Sequence, residues 1–301
     1  MGDSSTVGVG DRSAEGAPDR WRGWSRLLHA ALATTYDVSY CNLAVTGATA
    51  YDVRRTQLRD AVAHRPDLVS LIVGINDTMR SSWDPARVRE DLHACADELA
   101  ASGSMLLTAR FHDFPATLGV PGPLQGPLRK RLAVVNDTYA EIHARHGGVQ
   151  VDLAAVCGAP RRDFFSVDRL HPSELGHRTL AAAFAEALAV AGLDVEAPSL
   201  VCDGPEAGRW EEMRWLVTEV APWFGRRARD LGPWVARAIV TEARTRRSAD
   251  LRQLPPEPDH VGVTGAVDPV ETVPEVEVEV GRGAGDRGIG VGDVDVDQRA
   301  I

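Results

Sequence analysis

The sequence predicts an α/β fold in which a mainly parallel sheet is covered by helices on both faces, giving three layers. Three short apolar runs, rich in branched residues, are typical of buried strands and lie at 67–74, 104–109 and 149–153. Three longer helical patterns alternate with them and lie at 84–101, 124–146 and 174–191. Because alternating strands and helices favour parallel pairing, we expect the ligand site at the carboxyl ends of the strands.

The helical patterns have recognisable ends. The first begins at Asp84, followed by a proline in the first turn, and stops before Gly103. The second is amphipathic and ends at Gly147, and the third ends at Gly192. A glycine preceded by a predicted short strand, Gly47, lies ahead of all three.

The composition describes a globular chain. Its 301 residues are 44% hydrophobic, which suits one large domain or one domain with appendages. A transmembrane helix would need about 18 or more apolar residues in a row, and a signal peptide a basic region before an apolar run; we expect neither. The cysteines show no CxxC or metal spacing, which favours reduced, mostly buried thiols in a cytoplasmic protein; they are Cys41, Cys95, Cys157 and Cys202.

Three regions differ in composition. We expect a main domain over 1–195, a helical extension rich in tryptophan and arginine over 196–252 that packs on it, and a disordered tail over 253–301. The alternative for the extension is a helix that binds a partner or a membrane surface. Residues 255–301 hold 11 acids and 3 bases, so the tail carries −8 of the net charge of −10. The nearly neutral remainder offers no basic footprint for nucleic acid.

The first residues contain a candidate nucleophile. Gly2-Asp3-Ser4 suits a tight turn that exposes a serine, although a frayed polar terminus is the simpler interpretation. A serine hydroxyl needs a base within hydrogen-bond reach, and the base needs an orienting group. Asp168 and His171 have the right spacing, directly before a helix start, for the carboxylate to hold one imidazole nitrogen. Such spacings are common by chance, so a satisfied surface histidine stays open as the alternative.

Two further segments offer oxyanion donors. Asn76 follows the first predicted strand, after Gly74 allows the chain to turn, and its side-chain amide would donate at the strand's carboxyl end. Gly47 would present its backbone N–H with no side chain in the way. Taken alone, each of them is equally well explained as a turn residue.

The order of these weak signals is informative. Gly2-Asp3-Ser4, Gly47, Gly74-Ile75-Asn76-Asp77 and Asp168-Arg169-Leu170-His171 together resemble the four motif blocks of the SGNH hydrolases, also called the GDSL esterase/lipase family. The resemblance extends over roughly residues 2–192. Segments 22–32 and 67–77 look like the actinobacterial branch of the family, and 211–227 is similar to a C-terminal extension found there. The resemblance implies a flavodoxin-like three-layer α/β/α sandwich.

The resemblance also implies roles. Ser4 would attack an acyl carbon, His171 would transfer the proton, and Asp168 would orient the imidazole. The oxyanion would be held by the backbone N–H groups of Ser4 and Gly47 and by the Asn76 side chain. The family needs no metal and no organic cofactor. Its members carry an apolar strand before the nucleophile, whereas here only Met1 precedes the motif. We therefore expect either a strand encoded upstream or a sheet with a truncated first strand that holds Ser4 less firmly.

Three functions follow from these residues. The first is a serine ester hydrolase that acts through an acyl-enzyme on a small ester or acetylated substrate. The second is an acyltransferase that uses the same site. The third is a non-catalytic interaction protein with a decayed site. The expected partner is a small-molecule ester, with neither nucleic acid nor an integral membrane segment involved, and the oligomeric state is left open.

Overall fold

A parallel three-stranded sheet forms the centre of the molecule. The computed structural model describes residues 1–13, 21–158, 162–203, 209–222, 225–226, 229–234, 237 and 240. Within them the strand order is β1-β2-β3, with β1 at Leu68–Ser70, β2 at Met105–Arg110 and β3 at Val149–Asp152. Val69 pairs with Leu106, and Ala109 pairs with Val151. The three apolar runs predicted as strands therefore form the sheet, and their pairing is parallel as predicted.

Helices connect and flank these strands. The three long predicted helices are confirmed, since they span Pro85–Ala101, Gly122–His146 and Glu174–Val190. In chain order the α-helices are α1 (Ser4–Val7), α2 (Gly23–Leu32), α3 (Ala50–Thr56), α4 (Leu58–His64), α5 (Ile75–Thr78), α6 (Pro85–Ala101), α7 (Phe114–Thr117), α8 (Gly122–His146), α9 (Leu153–Cys157), α10 (Glu174–Val190) and α11 (Arg209–Trp215). A 3₁₀ turn spans Arg162–Phe164, and a π-helical turn, Leu216–Val220, follows α11.

The helices pack in two groups that give the fold its three layers. Helices α2 and α10 contact each other, and α10 lies against β3. Helices α3, α4, α6 and α8 form the other group, in which α6 and α8 lie against β2. In the first group the ring of Trp24 stacks on that of Phe184 at 4.8 Å. In the second, the buried Tyr139 hydroxyl donates to the carbonyl of Val73 at 2.8 Å and accepts from its N–H at 3.0 Å, which fixes the chain just after β1.

The segment before Gly47 corrects one prediction. A short strand was expected directly before Gly47, but within the described residues 37–45 pair with no strand. The N–H of Val45 donates to the carbonyl of Gly2 at 3.2 Å. Gly2 in turn forms a parallel bridge with Ile72, two residues after β1. One wall of a groove of about 810 Å³ is formed by 36–43, and another by the edge of β1 at 68–70. Among the described residues, therefore, no full strand lies on the side of β1 away from β2.

The C-terminal extension contacts the rest of the described chain through aromatic and polar groups. Trp215 meets the edge of Trp21 at 6.5 Å between ring centroids. Trp234 lies under the guanidinium of Arg131 at 3.8 Å. Most of the predicted helical extension beyond residue 234, and the whole predicted tail, lie outside the described residues. Among the described helices, none has the length and apolar character needed to cross a bilayer.

Candidate active site

Ser4 is the first residue of α1 and follows Gly2, which forms an isolated parallel bridge with Ile72. Asp3, which lies between them, is the N-cap of α1. The Asp3 carboxylate accepts hydrogen bonds from the Ser5 N–H at 3.0 Å and from the Ser5 hydroxyl at 2.9 Å. An N-cap carboxylate satisfies donors that the first turn leaves unpaired. Asp3 thus shapes the turn, and the side chain of Ser4 faces the site.

The structure brings Ser4, His171 and Asp168 into one hydrogen-bonded chain. His171 Nε2 lies 2.7 Å from Ser4 Oγ, although 167 positions separate the two residues. Its other ring nitrogen, Nδ1, lies 2.6 Å from Asp168 Oδ2. Such an order of hydroxyl, imidazole and carboxylate is the arrangement that activates a serine.

A tight loop holds the aspartate and the histidine together. Asp168 Oδ1 accepts from the backbone N–H groups of Leu170 and His171, each at 3.0 Å. Between them Arg169 adopts a φ of 58°, an uncommon left-handed conformation for a residue with a side chain. Ser173 then caps α10 by accepting from the Gly176 N–H at 3.1 Å. The loop is therefore fixed at both ends, and strain of this kind is typical of functional sites.

The charge of Asp168 follows from these contacts. Burial alone would favour its neutral form. The hydrogen bonds from the His171 side chain and from the two backbone N–H groups outweigh burial and hold the pKa of Asp168 below its usual range. A carboxylate that stays ionised beside Nδ1 stabilises the imidazolium that forms when His171 takes a proton.

Of the two predicted oxyanion groups, Asn76 lines the cavity that contains Ser4, whereas Gly47 is not among the described residues that line it. Asn76 Nδ2 donates to the carbonyl of Ala48 at 3.1 Å and makes a longer contact of 3.4 Å with Asp3 Oδ2. Gly47 precedes Ala48 in a turn closed by the Ala48 N–H and the Val45 carbonyl at 3.1 Å. Its φ of 82° explains the glycine, because other residues rarely adopt that conformation.

Two buried carboxyl groups lie next to this arrangement. Asp77 accepts from the Ala50 N–H through both oxygens, at 3.2 and 3.1 Å. Burial raises the pKa of Asp77 to about 7, and burial also raises the pKa of Asp3. Both groups accept from backbone N–H donors, and among the described residues the carboxylate within hydrogen-bond distance of the His171 ring is that of Asp168.

The cavity at Ser4 is small and mostly apolar. Its volume of about 50 Å³ equals the room taken by roughly three to five water molecules. The candidate catalytic residues Ser4, Asn76 and His171 line it. So do Phe111 and His112, which follow β2, and Phe165, whose ring lies against that of His112. Sequence reasoning missed Phe111, His112 and Phe165. Phe111 and His112 directly follow β2, so the rule that sites lie at the carboxyl ends of parallel strands would have indicated them.

The fold and the site define a serine hydrolase of the α/β class. The family model described as GDSL-like Lipase/Acylhydrolase matches residues 1–179, which is more than half of the chain. The chain therefore belongs to this family of carboxylic ester hydrolases, and the resemblance to the SGNH hydrolases is confirmed.

Known proteins agree with this assignment. An acetylxylan esterase from Geobacillus stearothermophilus is 28% identical over 156 residues, which cover 48% of this chain and 68% of that protein. The crystal structure of Axe2, an acetylxylan esterase from the same organism, has a TM-score of 0.51 at 21% identity and covers 65% of this chain and 94% of its own. LAE5, an alpha/beta hydrolase enzyme from the metagenome of Lake Arreo, Spain, has a TM-score of 0.50 at 22% identity. The match covers 62% of this chain and 92% of LAE5. These structural likenesses show the shared three-layer fold.

Proposed function

We propose that the chain hydrolyses short-chain carboxylic esters, acetyl esters among them, through an acyl-enzyme formed on Ser4. The observation that carries the proposal is the chain of 2.7 and 2.6 Å contacts from Ser4 through His171 to Asp168. The similarity to an acetylxylan esterase supports an acetylated substrate. The small, mostly apolar cavity at Ser4 supports a short acyl group.

Each step of the reaction uses one of these contacts. His171 Nε2 accepts the proton of Ser4 as Oγ attacks the acyl carbon, and the carbonyl oxygen becomes an oxyanion. The tetrahedral intermediate collapses, the bond to the alcohol oxygen breaks, and His171 donates the proton to that leaving oxygen. Water, with His171 again as the base, then releases the acid and restores Ser4. Asp168 accepts from Nδ1–H throughout and stabilises the imidazolium.

The oxyanion would be held by the backbone N–H groups of Ser4 and Gly47 and by the Asn76 amide. Asn76 supports this role because it lines the same cavity as Ser4 and its Nδ2 makes a long contact of 3.4 Å with Asp3 Oδ2 that an oxyanion would replace. The backbone N–H of Ser4 lies in the first turn of α1, where helical N–H groups have no intrahelical acceptor.

The test compares neighbouring serines. With p-nitrophenyl acetate, the parent protein is expected to give a burst of p-nitrophenol followed by steady turnover. Ser4→Ala should lower kcat by about 10³-fold or more. Ser5→Ala is the matched control, since the Ser5 hydroxyl donates to Asp3. A Ser4→Ala protein that turns over at the parent rate would remove the proposal. With an alcohol added, the ratio of free acid to the new ester of that alcohol distinguishes hydrolysis, which forms the acid, from acyl transfer, which forms the ester.

A reducing, cytoplasmic location is part of the proposal. All four cysteines are free; Cys95 and Cys157 are buried, whereas Cys41 and Cys202 are exposed, which corrects the expectation of mostly buried thiols. Exposed free thiols are typical of proteins kept in reducing compartments. Thiol titration of protein from native cells should find four reactive groups under denaturing conditions, and fewer without reductant would contradict this location.

A further inference from the structure

His112 is a polar group in the reacting cavity that the proposed mechanism does not use. It follows β2 by two residues and lines the same cavity as Ser4 and His171. Its ring tilts against Phe165, with centroids 5.0 Å apart. Both ring nitrogens are buried, and neither has a hydrogen-bond partner in the described part of the chain. Buried polar atoms in native proteins are rarely left unpaired, so this ring is suited to a partner that arrives with the substrate.

The chemistry of the ring restricts that partner. Burial lowers the pKa of His112 to about 4, so at neutral pH the ring is uncharged. A neutral imidazole offers one N–H donor and one nitrogen acceptor. A hydroxyl group also both donates and accepts, whereas a carboxylate only accepts and an ammonium only donates. Neighbouring parts of the lining are apolar, including Phe111 and Phe165, so a single hydroxyl is the polar group that suits the ring.

His112 is poorly placed for acid–base work. The Ser4 hydroxyl is already bound to His171, which has the carboxylate of Asp168 behind it. No such carboxylate bonds to His112 within the described residues. The adjacent Asp113 is exposed and accepts from Arg129 Nε at 3.0 and 2.9 Å. The ring therefore lacks the orienting partner that a general base in a triad requires.

We propose that His112 determines substrate specificity by binding a hydroxyl group close to the ester, on the α-carbon of the acyl half or on the second carbon of the alcohol half, so that hydroxylated esters are the preferred substrates. This inference rests on the proposed ester hydrolysis at Ser4. The hydroxyl can come from either half of the substrate. A 2-hydroxyacyl group carries it on the acid side, and a diol or sugar ester carries it on the alcohol side.

Two isosteric substrate pairs test the proposal and distinguish the sources. Ethyl glycolate and ethyl propionate differ by a hydroxyl or a methyl group on the acyl side. 2-Hydroxyethyl acetate and propyl acetate differ in the same way on the alcohol side. Acid release is followed in a pH-stat. The parent protein should favour the hydroxylated member of one pair by about tenfold in kcat/KM, the scale of one hydrogen bond.

Variants at position 112 show whether the ring is responsible. His112→Phe keeps an aromatic ring against Phe165 but removes both nitrogens, and it should bring the hydroxyl-to-methyl ratio close to one. His112→Gln keeps a donor and an acceptor and should retain part of the preference. A ratio within one substrate pair is insensitive to general loss of active protein, so a merely structural role would leave it unchanged.

The outcomes are distinct. If the parent protein prefers neither hydroxylated ester, the inference is wrong, and no variant is needed to see it. A preference that persists in His112→Phe would assign the hydroxyl to another residue and also overturn the inference. Failure of the parent protein on all four esters and on p-nitrophenyl acetate would instead remove the proposed function itself.

Discussion

The side-chain amide of Gln57 pairs with the backbone of Gly2 through two hydrogen bonds. The Gly2 N–H donates to Gln57 Oε1 at 2.9 Å, and Gln57 Nε2 donates to the Gly2 carbonyl at 3.0 Å. Gln57 is 2% exposed and ends α3. Its amide thus satisfies the backbone groups of Gly2 as a neighbouring strand would, two positions before Ser4. This contact holds the backbone that leads into Ser4.

Replacing Gln57 should therefore affect both folding and the site. Gln57→Ala leaves a buried N–H without its partner and weakens the support of the Gly2 carbonyl, at a cost of about 1–3 kcal/mol for an unsatisfied group. We expect the free energy of unfolding in urea to fall by that amount and kcat to fall with it. Gln125→Ala is the control, because Gln125 Nε2 donates to the Val120 carbonyl at 2.8 Å and Gln125 is not among the described residues that line the cavity at Ser4. Equal, small effects of both variants would show that the Gly2 pairing is unimportant.

The charge of Asp168 can be tested against a similar pair elsewhere. Asp168→Asn keeps the shape but removes the carboxylate that holds the His171 tautomer, and kcat should fall by about 10³–10⁴-fold. Asp97→Asn is the matched variant, since Asp97 Oδ1 lies 2.8 Å from His146 Nε2 far from Ser4 in sequence. Steady-state kinetics and thermal melting of both proteins separate the two effects. Comparable activity in the two variants would contradict the role given to Asp168.

Two glycines with similar geometry test the oxyanion role of Gly47. Gly47 has a φ of 82° and Gly103 a φ of 90°, and a Cβ added at either would meet nothing within 4 Å. Alanine at either position should therefore lower the free energy of unfolding by a similar amount, about 1–2 kcal/mol, because its Cβ is strained at a positive φ. Only Gly47→Ala should lower kcat, by about tenfold or more, because its N–H would shift away from the oxyanion. Unchanged kcat in Gly47→Ala would remove Gly47 from the site.

His177 predicts how stability depends on pH. Its ring is fully buried, accepting from the Trp24 N–H at 3.2 Å through Nδ1 and donating to the Val9 carbonyl at 3.0 Å through Nε2. Burial lowers its pKa to about 4 in the folded protein, against about 6.5 when unfolded. Between pH 4 and pH 6.5 the unfolded chain binds more protons at His177 than the folded protein does. The stability that the neutral, buried His177 ring contributes is therefore fully present above about pH 6.5 and is lost as the pH falls towards 4. From pH 7 down to pH 4.5 the free energy of unfolding should fall by about 2–3 kcal/mol through this group.

Urea unfolding at pH 7 and pH 4.5 measures that loss. His177→Gln should be less stable than the parent protein at pH 7 but should lose about 2–3 kcal/mol less on acidification. His64→Gln, at an exposed position at the end of α4, should follow the parent profile. A His177→Gln profile that runs parallel to that of the parent protein would contradict the assignment of this pH dependence to His177.

The sequence predicts much of this molecule because the signals are local. Short branched runs, N-cap residues and terminal glycines depend on neighbours along the chain, and the strands at 68–70, 105–110 and 149–152 match them. The proximity of Ser4 and His171 was predicted from the order of the four motif blocks along the chain, which resembles that of the SGNH hydrolases. Gln57 and His112 were missed because their roles depend on contacts that residue type does not indicate. The expected strand before Gly47 failed for a related reason, since a strand needs a partner and the space between 36–43 and β1 is a groove.

That groove predicts the effect of an added strand. Its walls include Met1, residues 36–43 and the edge of β1, and burial lowers the pKa of the Met1 amino group to about 6. A five-residue segment of alternating valine and threonine fused ahead of Met1 should pair with 68–70 and raise the Tm by roughly 2–4 °C per kcal/mol gained. A glycine-serine segment of the same length is the control, as it removes the same buried amine without favouring a strand. Equal melting of the two fusions would show that no strand fills the groove.

Covalent labelling with a fluorophosphonate tests the role of Ser4 most directly, because the reagent needs the nucleophile, its base and the oxyanion donors together. Peptide mass spectrometry of the labelled protein should place one phosphonyl group on Ser4, and labelling should be lost in Ser4→Ala and retained in Ser5→Ala. A label on another residue, or no label on protein that still hydrolyses p-nitrophenyl acetate, would contradict the assignment of Ser4 as the nucleophile.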